Sequence, residues 1–405
     1  MNKILILILS ISLLCGCTST KNKFIQKNVA MAERRMNDII KISADSTKFP
    51  RTTNEDGSIQ YTDLYDWTSG FFAGNLWYLY ELTGKEYWKN EAERWTKTLE
   101  PLKNFTRHHD LGFMVYCSYG NEYRLVPSEE TKEILIQSAE SLCKRFYPVT
   151  GSIKSWDYRR SLDNKSEWFF PVIIDNMMNL ELLFFASKVS GNPKYSDIAI
   201  KHAETTMKNH FRPNFSTYHV VNYDTITGAV LNRSAAQGYT DESTWARGQA
   251  WAIYGFTMTY RETGDERFLH TAQKAADFYL NAKDMPSDLI PYWDLNLPDS
   301  TFKPVWENHT GKSLSQRDAS AAAIVASALL ELCKYGGENA DLYQKSAVEM
   351  LRSLSSDHYM NDGKAGEYFL LKHSVGSFPN QVEIDVPLVY ADYYYIEALL
   401  RSRNL

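Results

Sequence analysis

Cysteine is scarce: the 405-residue chain has five, and two of them, Cys15 and Cys17, lie at the extreme N-terminus. The other three, Cys117, Cys143 and Cys333, are an odd number with no CxxC or other metal-like spacing. They imply neither a disulfide framework nor a structural metal. Cys143 and Cys333 stand in apolar-periodic segments, where a thiol packs as a small hydrophobe. The nine histidines form no HxxxH or HExxH pattern, and the chain has neither a glycine-rich phosphate loop nor a GxSxG elbow. No metal, nucleotide or other cofactor is indicated. A net charge of −5 without a long basic block gives no electrostatic footprint for nucleic acid. Beyond the N-terminus no apolar run approaches membrane-spanning length. What the chain does have is 44% hydrophobic and 14% aromatic residues, ample for one large core.

The N-terminus reads Met-Asn-Lys, the apolar run Ile4 to Leu14, and then Cys15-Gly16-Cys17. A charged n-region, an h-region and a small-residue cleavage site are the parts of an export signal. Leu14-Cys15-Gly16-Cys17 is similar to a lipobox, in which the last cysteine becomes the lipidated first residue. The expectation is a signal peptide over 1–17 and an exported lipoprotein over 18–405. The lipid on Cys17 would be its only tie to the membrane, with the protein on the periplasmic side.

From there an apolar helix, a glycine break and an amphipathic helix recur. The breaks are Thr83-Gly84-Lys85-Glu86-Tyr87, Ser190-Gly191-Asn192-Pro193-Lys194-Tyr195, Thr263-Gly264-Asp265-Glu266-Arg267-Phe268 and Gly336-Gly337 through Tyr343. The first helix of each unit is apolar on nearly every side, as in 177–185, and such helices are buried all round. The second carries one stripe, as in Trp88, Ala92, Trp95 and Leu99, and belongs to an outer layer. Gly191, Gly264 and Gly337 are 73 residues apart, whereas Gly84 to Gly191 spans 107, room for a hairpin with a disguised break. A last apolar helix over 387–400 needs a mate, which the segment 27–42 can supply. This arithmetic gives an all-α fold, an (α/α)6 barrel of six helical hairpins in one domain. An open helical solenoid, as in a glycan-binding lipoprotein, is the rival. The polar and aromatic segment 211–241 favours the barrel, because its loops would gather on one rim.

Candidate chemistry sits where loops enter the inner helices. Asp110 follows His108 and His109 and precedes Leu111 and Gly112; Asp175 is a lone carboxylate in the apolar run Val172 to Met178. Desolvation among Ile and Met disfavours charge, so Asp175 is expected to hold a raised pKa and act as a general acid, while Asp110 stays ionised. Capping a helix N-terminus is a structural role for Asp175, compatible with the first. Two carboxylates in divergent environments suit acid-assisted glycoside chemistry. Trp67, Trp156, His219, Gln237, Arg247 and Trp251 are sugar-binding residue types near the same loops. Core packing for Trp251 and a salt bridge for Arg247 are the competing readings.

Six segments in this order, Asp66 to Phe71, His109 to Phe113, Asp175 to Asn179, Trp245 to Trp251, Arg317 to Ala322 and Ala391 to Tyr394, resemble the unsaturated glucuronyl hydrolases of glycoside hydrolase family 88. That resemblance implies the six-hairpin barrel and an unsaturated oligosaccharide, left by a polysaccharide lyase, as the partner. It implies Asp175 as acid/base residue with Asp110 as its essential partner, and substrate contacts from Trp67, His109, Trp156, His219, Gln237, Arg247 and Trp251. Relatives that prefer sulfated chondroitin units carry a Ser-x-x-Ser-x-Lys stretch. Here the run is Ser377-Phe378-Pro379-Asn380-Gln381-Val382, without that lysine. Action on unsaturated rhamnogalacturonan ends by a related barrel, and glycan binding without catalysis, are the alternatives.

Overall fold

The computed structural model describes residues 2–43, 47–364 and 366–405, with side chains from residue 21 onward. The lipidation expected at Cys17 therefore lies outside the described side chains. Twelve helices are found among the described residues. In chain order they are α1 (Asn2–Ile42), α2 (Ser69–Thr83), α3 (Glu86–Lys97), α4 (Asn121–Leu125), α5 (Glu129–Cys143), α6 (Leu180–Ser190), α7 (Lys194–Asn209), α8 (Ala246–Thr263), α9 (Glu266–Leu280), α10 (Ala319–Leu332), α11 (Ala340–Leu354) and α12 (Val389–Arg403). A π-helical stretch, Gly112–Gly120, leads into α4, and a 3-10 stretch, Ile174–Asn179, leads into α6.

Even-numbered helices, with their lead-in stretches, form the inner ring. α2 packs on the π-helical stretch, which packs on α6 and its 3-10 turn; these meet α8, then α10, then α12, which returns to α2. Odd-numbered helices lie outside. Every residue of α10 is buried, whereas α3 buries only Trp88, Ala92, Trp95 and Thr96. α1 packs against α12 and α2 and so supplies the mate expected for the last helix. The chain is the helical barrel read from the sequence.

Three hairpins turn alike. Gly84, Gly191 and Gly264 end α2, α6 and α8 with φ of 68°, 71° and 68°, and each amide donates to the carbonyl four residues back. Nothing lies within 4 Å of a Cβ built there, so backbone conformation and not space selects glycine. The disguised break is Val126-Pro127-Ser128. Ser128 caps α5, its Oγ accepting from the Thr131 amide at 3.1 Å, so this hairpin turns on a side-chain N-cap with no glycine.

Candidate active site

The six segments, Asp66–Phe71 through Ala391–Tyr394, lie at or near the N-terminal ends of the inner helices, which gathers them at one end of the barrel. A three-stranded antiparallel sheet over that end sets the register between the Asp175 segment and the loop that carries His219. Pro171–Ile173 pairs with Val220–Tyr223, which pairs with Val230–Ser234, and the Ile174 amide donates to the His219 carbonyl at 3.0 Å. Asp175 and His219 are thereby held side by side, with His219 Nε2 3.6 Å from Asp175 Oδ2.

Asp175 is buried at 8% exposure and its side chain makes no capping hydrogen bond to the helical turn it opens. Its Oδ2 has no hydrogen-bond partner among the described residues, nor do His219 Nε2, Trp251 Nε1 and Asn176 Oδ1. Unpaired buried polar atoms are rare in a folded protein, and four in one place mark where a ligand would satisfy them. Burial is the main reason the Asp175 carboxyl is pushed up to about 7, and the negative charge of Asp110 adds to it; Arg247 and the Trp251 indole oppose it weakly.

Asp110 shows the opposite balance. Burial raises its pKa, but His109, His108 and Arg145 together outweigh burial and hold it below the ordinary carboxylate range. His109 Nε2 lies 3.2 Å from Asp110 Oδ1, and His108 Nδ1 lies 3.1 Å from Oδ2. His108 Nε2 faces the Tyr65 carbonyl at 3.0 Å, Nδ1 faces both the Asp110 carboxylate and the Asp110 amide, and the Asp110 charge with the Tyr65 carbonyl raises its pKa despite burial. His109, fully buried, is pulled down to about 4 and is neutral at pH 7. His219 is also neutral, its pKa carried well below the usual value first by burial and then by nearby arginines. Its Nδ1 accepts from the amides of Ala236 and Gln237, both at 3.1 Å, which leaves the proton on Nε2, facing Asp175.

The remaining candidates fall around this pair. Trp156 packs edge-on to His219 at 6.3 Å, and the Gln237 amide group donates to the Gly376 carbonyl at 3.1 Å. Trp67, half-buried, meets Phe113 and Tyr390, with Trp251 behind Phe113 at 5.1 Å. Arg247 stands apart. Its guanidinium is 1% exposed, 3.0 Å from Asp318 Oδ2, donates to the Val375 and Gly376 carbonyls, and stacks on Trp245 at 4.6 Å.

Gly112, just after Asp110, answers to packing. A Cβ there would lie 2.4 Å from the Asn179 Cα, so the glycine lets two inner segments touch. Asn179, not singled out as a site residue, ties them: its Oδ1 accepts from the Phe113 amide at 3.1 Å and its Nδ2 approaches His109 Nδ1 at 3.5 Å. Its position one helical turn beyond Asp175 was the available signal. Ser155, whose Oγ lies 3.4 Å from the same nitrogen, sits in a loop and had none.

Residues 39–397 match the family model Glycosyl Hydrolase Family 88. The chain is 43% identical over 410 residues to an unsaturated glucuronyl hydrolase of Formosa agariphila, covering 99% of this chain and 98% of that one. It is 33% identical to an unsaturated chondroitin disaccharide hydrolase of Streptococcus pneumoniae, covering 87% and 86%. Among solved structures it superposes with a TM-score of 0.86 on an unsaturated glucuronyl hydrolase specific for heparin, at 44% identity, covering 95% of this chain and 98% of that one.

Proposed function

The chain belongs to glycoside hydrolase family 88, and on that premise we propose that Asp175 is the proton donor of its reaction, with Asp110 as an ionised partner. The activity is removal of the 4,5-unsaturated uronic acid from the non-reducing end of glycosaminoglycan-type oligosaccharides. The observation that carries the assignment is a buried carboxyl held near neutrality beside a carboxylate held ionised. A group whose pKa lies near the working pH is available both to give and to take a proton.

The substrate has a vinyl ether, whose C4 is nucleophilic. Asp175 gives its proton to C4, and the positive charge forming at C5 is shared with the ring oxygen. Water adds at C5 and gives its proton to the Asp175 carboxylate. The hemiketal opens to a ketone at C5, and the hemiacetal left at C1 releases the aglycone. The ionised Asp110 favours the developing positive charge, and the neutral His219 can donate to Asp175 or to the entering water. Trp67 and Trp156 offer faces for the sugar rings. No displacement occurs at the anomeric carbon, so the carboxylate spacing of ordinary glycosidases does not govern the outcome. Turnover in deuterated water is expected to place deuterium at C4 of the released sugar, and oxygen-18 water is expected to label C5. Label at C1 alone, without deuterium at C4, would exclude this route.

The N-terminal signal supports export with the chain held to a membrane by lipid on Cys17, on the periplasmic side. Cys17→Ser is expected to move the protein to the soluble fraction with kcat and KM unchanged. A variant that still sediments with membranes removes the anchor.

A further inference from the structure

We propose that Arg159 receives an anionic group of the substrate, a carboxylate or a sulfate, at the mouth of the site. The proposal rests on the activity assigned above and adds a residue to it. Arg159 and Arg160 open a two-stranded rim hairpin in which Arg159 pairs with Trp168 and Arg160 with Glu167. Neighbours on a strand point to opposite faces, and these two have opposite surroundings. Arg160 points outward, is exposed, and is neutralised by Glu167 at 3.1 Å with a further bond to the Tyr158 hydroxyl at 3.0 Å. Arg159 points inward, half-buried, its guanidinium 4.6 Å from the Trp156 ring centre.

Among the described residues Arg159 has neither a carboxylate at ion-pair distance nor a hydrogen-bond acceptor. Nearby acids are already engaged: Asp157 by Arg145 at 3.1 Å and Lys154 at 3.8 Å, Asp163 by Ser161 and Lys165, Glu167 by Arg160. Burial lowers the Arg159 pKa with no acid to offset it, and its charge reaches His219, the ring that faces Asp175. A half-buried cation without a counter-ion is costly to maintain, and an entering anion relieves that cost. Stacking on Trp156 holds the guanidinium plane while leaving its N–H fork free for two oxygens. Arg247 cannot take this part as it stands, because Asp318 and two carbonyls occupy its fork.

The two sources of the anion separate in one experiment. Arg159→Gln and Arg159→Lys are assayed, by loss of alkene absorbance, on an unsulfated unsaturated disaccharide and its sulfated counterpart, both bearing the uronate carboxylate. KM is expected to rise roughly tenfold or more in Arg159→Gln with kcat within a few-fold, and Arg159→Lys to fall between. An equal rise on both substrates assigns the carboxylate; a rise confined to the sulfated one assigns the sulfate. Unchanged KM on both in a variant that melts like the wild type overturns the proposal. So does a lowered melting temperature with unchanged KM, which is the mark of packing alone. Wild-type protein inert on both would overturn the parent activity.

Discussion

Asp175→Asn is expected to fold as the wild type does and to turn over an unsaturated disaccharide about 10²- to 10⁴-fold more slowly, since shape is kept and proton transfer is lost. The same substitution is expected to raise stability at high pH. The native Asp175 carboxyl titrates near 7 and the unfolded one near 4, so between those values the native state holds a proton that the unfolded state has released. Wild-type stability from this group therefore falls as pH rises from about 4 to about 7 and stays low above. Asparagine does not ionise, so the variant should melt higher than wild type at pH 8, with the difference shrinking toward pH 4. Wild-type kcat should decline above about pH 7, as the acid form disappears. Retained turnover, or a melting difference independent of pH, would remove the proton-donor role.

The second large effect is on folding. Arg247→Ala leaves Asp318, fully buried, without its cation, and takes one donor each from the Val375 and Gly376 carbonyls, of which Gly376 keeps the Gln237 amide. Removing one partner of a buried ion pair costs about 3–5 kcal/mol, far more than an exposed pair would. Chemical denaturation at pH 7 should show that loss, and Arg247→Lys should recover part of it. If stability is unchanged and only KM rises, the guanidinium is a ligand for the uronate carboxylate.

The ring of hairpins was legible because it is written in composition: all-round apolar helices alternate with striped ones, and a glycine recurs at a left-handed C-cap. The hairpin without that glycine was legible only as extra length between Gly84 and Gly191, because its turn uses Ser128, one serine among many. Asp110 and Asp175 were legible from their immediate neighbours, histidines for one and aliphatics for the other. Arg247 was not, since its partners lie 71 and about 128 residues away and only the fold chooses between ligand and salt bridge. For Arg159 the sequence offers two adjacent arginines, and only the strand pairing tells them apart.

The ring closes where α12 meets α2 and α1, and across that seam Trp67 lies 4.8 Å from Tyr390, a contact between the two ends of the polypeptide. Contacts of such separation form late, because the entropy of closing the intervening loop has to be overcome first. Until its last helix is free to dock, the chain has Asp110 and Asp175 but lacks the Tyr390 wall beside Trp67. During synthesis the protein is thus a catalyst in waiting, with activity arriving in one step at the end. Loss of the fifteen residues of α12 would remove the closing helix rather than trim an edge.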